Sequence, residues 1–551
     1  MSSTRFGRSW SQGVALGLLF GILGPGFVHA GDDDATSASP PRNSSASRKL
    51  PEIDRLLREA WKKAELQPSP PAGDDEFLRR AYLDTLGRIP TLAETQAFFA
   101  GRDADKRAKL IDYLLEHPDY AKNQATLWRV ALIGRQNQER RVEPKMLIDW
   151  LRKQFAANRP WNELAYDLIT AEGSNKENGA VNYTMAHLEN GAVNLTAYTT
   201  RIFLGRQIQC TQCHDHPSND WKQADFWGIN AFFKGVRRRE VRKEDSTNGN
   251  DYDHTEVFDE PTDAFSEYER RDARMGIMFP TFLDGRKVGQ GRDVERRKAL
   301  ARFITEPTNT AFAEAFVNRT WGHYFGRGIV NPIDDFGDHN EPSVPEVLDL
   351  LAKEFKESGF DVRLLTRRIM NSEAYQLTSR ATKSNEKDES LFTHMTLKPM
   401  SPEQLFESLL VATSAHESGT GDRDNIEQRR DAWFRQFQTA FANDEGEETT
   451  SFQGTIPQAL MMMNGPLMAE AVGGRPGSFL AELLERARLQ RGAPVDAYVV
   501  QNLYLAALSR PPSKKEMTNA RAFLAGNPDT IQVMEDLFWA LLNSNEFILN
   551  R

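Results

Sequence analysis

Residues 77–94, FLRRAYLDTLGRIPTLAE, set the fold class of this chain. Their apolar side chains recur at helical spacing: Phe77, Leu78, Ala81, Tyr82 and Leu86. The segment 87–90 ends this helix, and Thr91 with Glu94 forms a capping box that opens the next one. Comparable helical patterns continue along most of the chain. We therefore predict a mainly α, multi-helical protein with two domains.

The same pattern returns near the C-terminus, where residues 504–516 read YLAALSRPPSKKE. The Tyr, Leu, Arg, Pro, the capping hydroxyl and the capping Glu coincide with residues 82–94. This predicts a repeated three-helix unit near both ends of the chain. We expect Arg88 and Arg510 to occupy equivalent places, each holding carbonyl groups at its helix-to-helix turn.

The later parts of the unit also recur. Residues 114–120, LLEHPDY, resemble residues 541–547, LLNSNEF. Residues 365–375 repeat only the last helix of the unit. Two or three copies at irregular spacing do not make a solenoid.

The segment between the helical regions has a different character. It is charged and has few periodic apolar runs, although residues 235–241 and 255–258 have the composition of short strands. We predict a small β-containing insertion around residues 235–290. The expected domains are a cytochrome-like helical domain at 50–235, the junction at 236–293 and a second helical domain at 294–551. Residues 416–450 are polar and are predicted to be irregular.

The N-terminus has the pattern of a secretory signal peptide at residues 1–30. Arg5 and Arg8 precede an apolar stretch, and Val28-His29-Ala30 is a small-residue cleavage site. The apolar stretch is too short and too rich in glycine to span a membrane, so no span is expected after signal cleavage. Residues 31–49 are expected to be a disordered leader. We predict a secreted or periplasmic protein, in a compartment that permits haem attachment and disulfide formation.

The only two cysteines of the 551 residues lie in the segment 210–217, CTQCHDHP. Cys-x-x-Cys-His is the attachment signature of c-type haem. Each thiol adds across a vinyl group of the haem, and the histidine becomes the proximal iron ligand. The motif predicts haem c as a cofactor, bound by Cys210, Cys213 and His214.

Three other interpretations of this segment remain open. Cys210 and Cys213 could form a disulfide in an oxidising compartment. Together with His214 and His216 they could hold a metal ion such as zinc. The histidines could also do no more than satisfy the backbone of a turn. If haem is bound, its distal ligand is open, and the candidates are Met185, His187, Met275, Met278, His323 and His339.

A second group of polar residues lies in an acidic loop, residues 334–341. Its side chains include Asp334, Asp335, Asp338, His339 and Glu341. Oxygen ligands of this kind suit calcium, and a carboxylate pair suits acid–base chemistry on a sugar. Asp334, Asp335, Asp338 and His339 are therefore weak catalytic candidates. The simplest alternative is a loop whose side chains satisfy its own backbone. The net charge of −9 argues against a nucleic-acid partner.

Two parts of the chain resemble known families. Residues 80–84, 86–90 and 210–217 carry a resemblance of residues 50–235 to the planctomycete cytochrome-like family of unknown function. Residues 294–551 resemble the companion planctomycete secreted domain, through motifs at 317–321, 325–328, 464–466 and 508–512. Both families are named by their source and by the Cys-x-x-Cys-His match. The resemblance therefore implies a cytochrome-like secreted protein without defining an activity.

Two function classes follow from these observations. The first is a secreted c-type cytochrome-like protein that acts in electron transfer or redox chemistry with an unknown redox partner. The second is a haem-free extracellular protein with a Cys210–Cys213 disulfide. It would be a carbohydrate-active enzyme or a binding scaffold for an extracellular polysaccharide.

Overall fold

The computed structural model describes residues 51–135, 139, 141–243, 252–263, 265–416, 423–441, 461–463, 465–489, 494–527 and 529–551. The signal peptide and leader predicted at 1–49 lie outside these residues. The described chain is mainly α, which confirms the fold class expected from the helical periodicity. None of its helices is long and apolar enough to cross a bilayer.

The helices before the β-containing segment are α1 Glu52–Lys63, α2 Asp74–Leu86, α3 Leu92–Ala100, α4 Lys106–Glu116, α5 Pro118–Ile133, α6 Pro144–Ala156, α7 Trp161–Thr170, α8 Val181–His187, α9 Glu189–Leu204 and α10 Gln223–Asn230. Those after it are α11 Arg296–Thr305, α12 Thr310–Phe325, α13 Pro345–Glu357, α14 Val362–Met370, α15 Glu373–Gln376, α16 Pro402–Thr413, α17 Arg423–Phe441, α18 Pro466–Val472, α19 Phe479–Leu489, α20 Val495–Leu508, α21 Lys514–Ala525, α22 Thr530–Leu542 and α23 Asn545–Ile548. Short 3₁₀ helices span Gln209–Gln212 and Ala231–Phe233.

The strands are short and mostly lie in the predicted insertion. They are β1 Gly173–Ser174, β2 Val236–Arg242, β3 Tyr252–Asp259, β4 Ser266–Glu269, β5 Met275–Met278, β6 Lys398–Pro399 and β7 Leu549–Asn550. Strand β3 pairs antiparallel with β1 and with β2. Strands β4 and β5 form an antiparallel hairpin, and β6 pairs with β7. The strands predicted near 235–241 and 255–258 are therefore present as β2 and β3.

The two predicted copies of the three-helix unit have equivalent turns. Arg88 binds both carboxylate oxygens of Glu94, at 2.9 and 3.0 Å, and a carboxylate oxygen of Asp119 at 2.9 Å. Arg510 binds Glu516 and Glu546 in the same arrangement, at 2.6–2.9 Å. In both copies the N-terminal cap is a capping box.

The predicted role of these arginines was wrong in one respect. Each guanidinium donates to only one carbonyl oxygen at its turn, that of Ile89 or of Pro511. The remaining contacts go to carboxylates, because the planar guanidinium matches a carboxylate with two parallel hydrogen bonds.

The first copy is docked onto the two later ones by neighbouring arginines of α2. Arg79 donates to the carbonyl oxygens of Ala507 and Phe547, at 2.9 and 2.6 Å. Arg80 donates to those of Tyr375 and Leu377, at 2.8 and 2.9 Å. Both side chains are fully buried. Charged hydrogen bonds therefore join α2 to segments about 300 and 430 or more residues away in sequence.

A buried polar group connects the ends of the described chain. The carboxylate of Asp84 accepts hydrogen bonds from the Tyr375 hydroxyl, the Lys398 ammonium and the Asn550 amide, at 2.7–2.8 Å. The Lys398 ammonium also donates to the carbonyls of His323 and Tyr324. Burial lowers the pKa of Lys398, and the carboxylate of Asp84 opposes that shift.

One prediction was wrong for part of its range. Residues 416–450 were expected to be irregular, yet α17 occupies Arg423–Phe441. Its polar composition hides a short apolar face, in which Trp433 and Phe437 are buried and Phe437 packs 5.7 Å from the ring of Phe406. Tertiary contact with α16 supplies what the local pattern lacks.

Candidate functional site

The Cys-x-x-Cys-His segment lies on the surface, directly after α9. Cys210 is in the 3₁₀ helix Gln209–Gln212, and Cys213 is the residue that caps it. Residues three apart in such a helix eclipse one another, so both side chains leave from one side. Both cysteines are exposed free thiols. Thr211 between them is buried, and its hydroxyl donates to the carbonyl of Ile208 at 2.6 Å. The buried Thr211 anchors the segment while the thiols stay open to solvent.

His214 is held by one ring nitrogen only. Its Nδ1 lies 2.7 Å from the carbonyl oxygen of Asp215. A carbonyl oxygen only accepts, so Nδ1 carries the proton and donates, which leaves the lone pair on Nε2 of the neutral ring. Histidines that bind a metal through one nitrogen usually donate the other N–H to a carbonyl or carboxylate. The tautomer of His214 is therefore that of an Nε2 ligand.

The segment is braced from the side by α10 and the β4–β5 hairpin. The Gln223 amide donates to the carbonyls of Gln212 and Glu269, at 3.2 and 2.8 Å. The indole N–H of Trp227 donates to the Gln212 carbonyl at 3.1 Å, and its ring stacks 5.7 Å from that of Tyr268. The hairpin thus lies beside the Cys-x-x-Cys-His segment.

The acidic loop packs against residues on both sides of the Cys-x-x-Cys-His segment. His339 bridges two residues, with Nδ1 3.0 Å from Oδ1 of Asn219 and Nε2 3.0 Å from Oδ2 of Asp335. The backbone N–H of Phe336 donates to the Gly205 carbonyl at 2.9 Å. Two candidate sites that are more than 100 residues apart in sequence therefore meet on one surface.

The Cys-x-x-Cys-His segment and the acidic loop fall within two different family matches. Residues 52–238 match the PSCyt2 model, described as a protein of unknown function (DUF1549). Residues 296–524 match the PSD1 model, described as a protein of unknown function (DUF1553). The chain has the PSCyt2–PSD1 architecture, two domains of unknown function in that order. No curated protein and no solved structure matches the chain.

Two carboxylates of the PSD1 acidic loop are engaged within the protein. Asp334 forms an ion pair with Arg319, and Asp335 contacts His339. Burial lowers the pKa of Arg206, and the nearby carboxylates of Glu314 and Asp338 oppose that shift. Across the described ranges, no three His, Cys, Asp or Glu side chains converge in a way that could hold a metal ion. The proposed calcium site and acid–base pair therefore gain no support from this arrangement.

His216 differs from His214 in its hydrogen bonds. Its Nδ1 accepts from the backbone N–H groups of Ser218 and Asn219, at 3.1 and 3.0 Å. This ring shapes the turn that presents Asn219 to the PSD1 loop, and its centroid lies 6.1 Å from that of His339. The interpretation of a histidine that satisfies backbone groups fits His216.

The six distal-ligand candidates occupy very different surroundings. Met185 is fully buried in the core. Buried His187 bonds to the Leu132 carbonyl and has its pKa lowered to about 4 by burial, and His323 bonds to the Asp84 carbonyl. His339 is held between Asn219 and Asp335, and the Met278 methyl lies against α10 at Gly228. Met275 differs, because it is 64% exposed.

Met275 is also the candidate tied to the motif through the hairpin. It pairs with Glu269 in the β4–β5 register, and the Glu269 carbonyl shares the Gln223 amide with Gln212. No sequence pattern favoured Met275 over the other candidates, and none singled out Gln223 or Asn219. Gln223 and Asn219 could have been suspected only because they lie close to the motif in sequence. Met275 could be related to the motif only through the strand register of the hairpin.

Proposed function

We propose that the PSCyt2 region binds a c-type haem covalently through Cys210 and Cys213, with His214 as the proximal ligand. Bound haem would supply reversible one-electron transfer between the protein and a redox partner. The observation that carries the proposal is the hydrogen bond from His214 Nδ1 to the Asp215 carbonyl, which leaves Nε2 as the ligand atom. Two exposed free thiols on one side of a 3₁₀ turn support it.

The surrounding residues have separate tasks in this proposal. Gln223 and Trp227 hold the Gln212 carbonyl and so fix the backbone between the two thiols. The Asp215 carboxylate accepts the Gln223 backbone N–H at 3.0 Å, and this contact lowers its pKa. An ionised Asp215 carboxylate would place a negative charge beside the ring of His214. Of the six distal-ligand candidates, exposed Met275 is the one that would hold the haem iron in this proposal.

The proposal includes export to the periplasm or the extracellular space. Its support is the sequence pattern of residues 1–30, which has a basic start, an apolar stretch and a small-residue cleavage site. Disulfides form readily in such a compartment, so Cys210 and Cys213 must stay reduced until the haem is attached.

A pyridine haemochrome spectrum of the denatured, exported protein tests the proposal. The host must have a working cytochrome c maturation system. We expect a c-type spectrum that stays with the polypeptide and is lost in the Cys210→Ser, Cys213→Ser double variant. His216→Ala is the matched control for His214→Ala. Only the His214 variant should lose the native low-spin spectrum, because His216 bonds to backbone N–H groups.

Two results would reject the haem proposal. A colourless protein with two titratable thiols would leave the segment as a structural turn. A colourless protein without free thiols would establish the Cys210–Cys213 disulfide of the haem-free alternative.

A further inference from the structure

A cavity of about 210 Å³ lies between α5 of the PSCyt2 region and α12 and α14 of the PSD1 region, and neither cysteine lines it. Its apolar walls include Ala131, Phe316, Ile333 and Val362. Gln124, Trp128 and His323 also line it. Sites that bury small ligands combine such walls with a few convergent polar groups.

Two of the polar lining residues have unused hydrogen-bonding groups. Gln124 is 7% exposed and Trp128 is 6% exposed. Neither the Gln124 amide nor the Trp128 indole N–H bonds to any residue that the structure describes. Neither group is among the fully buried polar atoms that lack a partner, so both keep some accessible surface and can pair with an occupant of the cavity.

His323 adds an acceptor. Its Nε2 lies 2.8 Å from the Asp84 carbonyl, so Nε2 carries the proton and donates. Burial lowers the pKa of His323, which favours the neutral ring. Its Nδ1 then keeps a lone pair at the cavity lining. The cavity thus offers donors from Gln124 and Trp128 and acceptors from Gln124 and His323.

The charge balance of the cavity points to a neutral occupant. Arg319 is the charged residue of the lining, and its guanidinium is paired with the buried carboxylate of Asp334. An anionic ligand would compete with Asp334 for the same guanidinium. A neutral ligand leaves that pair in place.

We propose that this cavity binds one neutral, polyhydroxylated ring, such as the pyranose ring of a monosaccharide or of a terminal sugar unit. Each hydroxyl both donates and accepts, so one ring can satisfy Gln124, Trp128 and His323 together. Its C–H faces pack on the apolar walls. This site does not depend on haem, and it gives the chain a sugar-binding function in addition to the redox function.

The test is calorimetric titration of the full mature protein with neutral hexoses, pentoses and deoxyhexoses, and with a uronic acid as the charged comparison. We expect saturable binding of at least one neutral sugar. Gln124→Met keeps the length of the side chain and removes its amide, so it should weaken binding about tenfold. Gln501→Met, at an exposed position of α20, is the control and should bind as wild type.

A second variant covers the case in which Gln124→Met does not fold. Ala131→Leu fills the cavity without removing a hydrogen-bonding group, and it should abolish binding. The proposal is overturned if no neutral sugar binds and a crystal soaked with the sugars shows only water; the volume would hold about seven waters at ~30 Å³ each. Binding of the uronic acid alone, or binding unchanged in both cavity variants, would also overturn it.

Discussion

Oδ1 of Asn219 lies 3.0 Å from Nδ1 of His339, and this contact joins the Cys-x-x-Cys-His segment to the PSD1 acidic loop. The approach is close because Gly337 faces Asn219 without a side chain. A Cβ at Gly337 would lie 2.2 Å from Asn219 Oδ1, well inside the contact distance of the two atoms. The PSCyt2 and PSD1 regions thus share one surface at the motif.

Gly337→Ala should therefore weaken this junction. The Asn219 amide must move away and lose His339, so we expect a loss of about 1 kcal/mol in the free energy of unfolding. Urea denaturation measures it. Gly473→Ala is the control, because a Cβ there meets its nearest atom at an ordinary 3.6 Å. If the two variants were equally stable, the close approach of Gly337 to Asn219 would not contribute to stability.

Met275→Ala should change the axial ligation of the haem-loaded protein. Without the thioether, added imidazole should bind the haem more tightly. The sulfur-to-iron absorption of the oxidised form should also disappear. Magnetic circular dichroism and an imidazole titration measure these changes. Met463→Ala, at another exposed methionine, is the control. An unchanged spectrum in Met275→Ala would remove this residue as the distal ligand.

Arg88→Ala and Arg510→Ala should destabilise the protein by similar amounts. Each variant leaves two partly buried carboxylates without their guanidinium, so we expect a loss of roughly 2–4 kcal/mol. Chemical denaturation of both variants measures it. Arg521→Ala removes one more exposed ion pair and should cost less than about 1 kcal/mol. A large loss at only one of the two turns would show that the copies are not equivalent in energy.

The stability of the protein should fall in acid partly through Glu516. The Arg510 guanidinium lowers the pKa of Glu516 from 4.5 to about 2. The folded state therefore binds this proton less readily than the unfolded state. The contribution is complete above about pH 4.5 and is lost as the pH falls towards 2. In Glu516→Gln the free energy of unfolding should vary less with pH over this interval, whereas Glu482→Gln at an exposed pair should follow wild type.

Asp84→Ala should be among the most damaging single changes outside the site. It leaves the buried ammonium of Lys398 without its carboxylate and removes partners of Tyr375 and Asn550. We expect a loss of about 3–5 kcal/mol, measured by urea denaturation. The double variant Asp84→Leu, Lys398→Met should recover much of that loss, because it removes both charges. A double variant no more stable than Asp84→Ala would show that the buried charges are needed for packing.

Local features of the fold were predictable from the sequence. The helical periodicity of 77–86 and the capping box at Thr91 act over a few residues, and the structure contains both as expected. The equivalence of Arg88 and Arg510 was also predictable, since Glu94 and Glu516 each lie six residues beyond the arginine. Their other partners, Asp119 and Glu546, lie 31 and 36 residues away and were not foreseen.

The candidate site was predictable only in its parts. The motif named Cys210, Cys213 and His214, and the acidic loop named Asp335 and His339. Nothing in the sequence indicated that Asn219 would meet His339, since 120 residues separate them. The cavity lined by Gln124 and His323 gave no motif at all, because its residues come from separate helices.

The sequence by itself determined the helical class, the helix ends, the repeated turns and the ligand types of the motif. These depend on hydrogen bonds and side-chain spacing within one or two helical turns. Only the tertiary structure decided that the motif and acidic loop share a surface, that Asp84 meets Lys398 and Asn550, and that a cavity opens beside Gln124. Such contacts depend on how helix faces pack across hundreds of residues, and local periodicity carries no information on which faces meet.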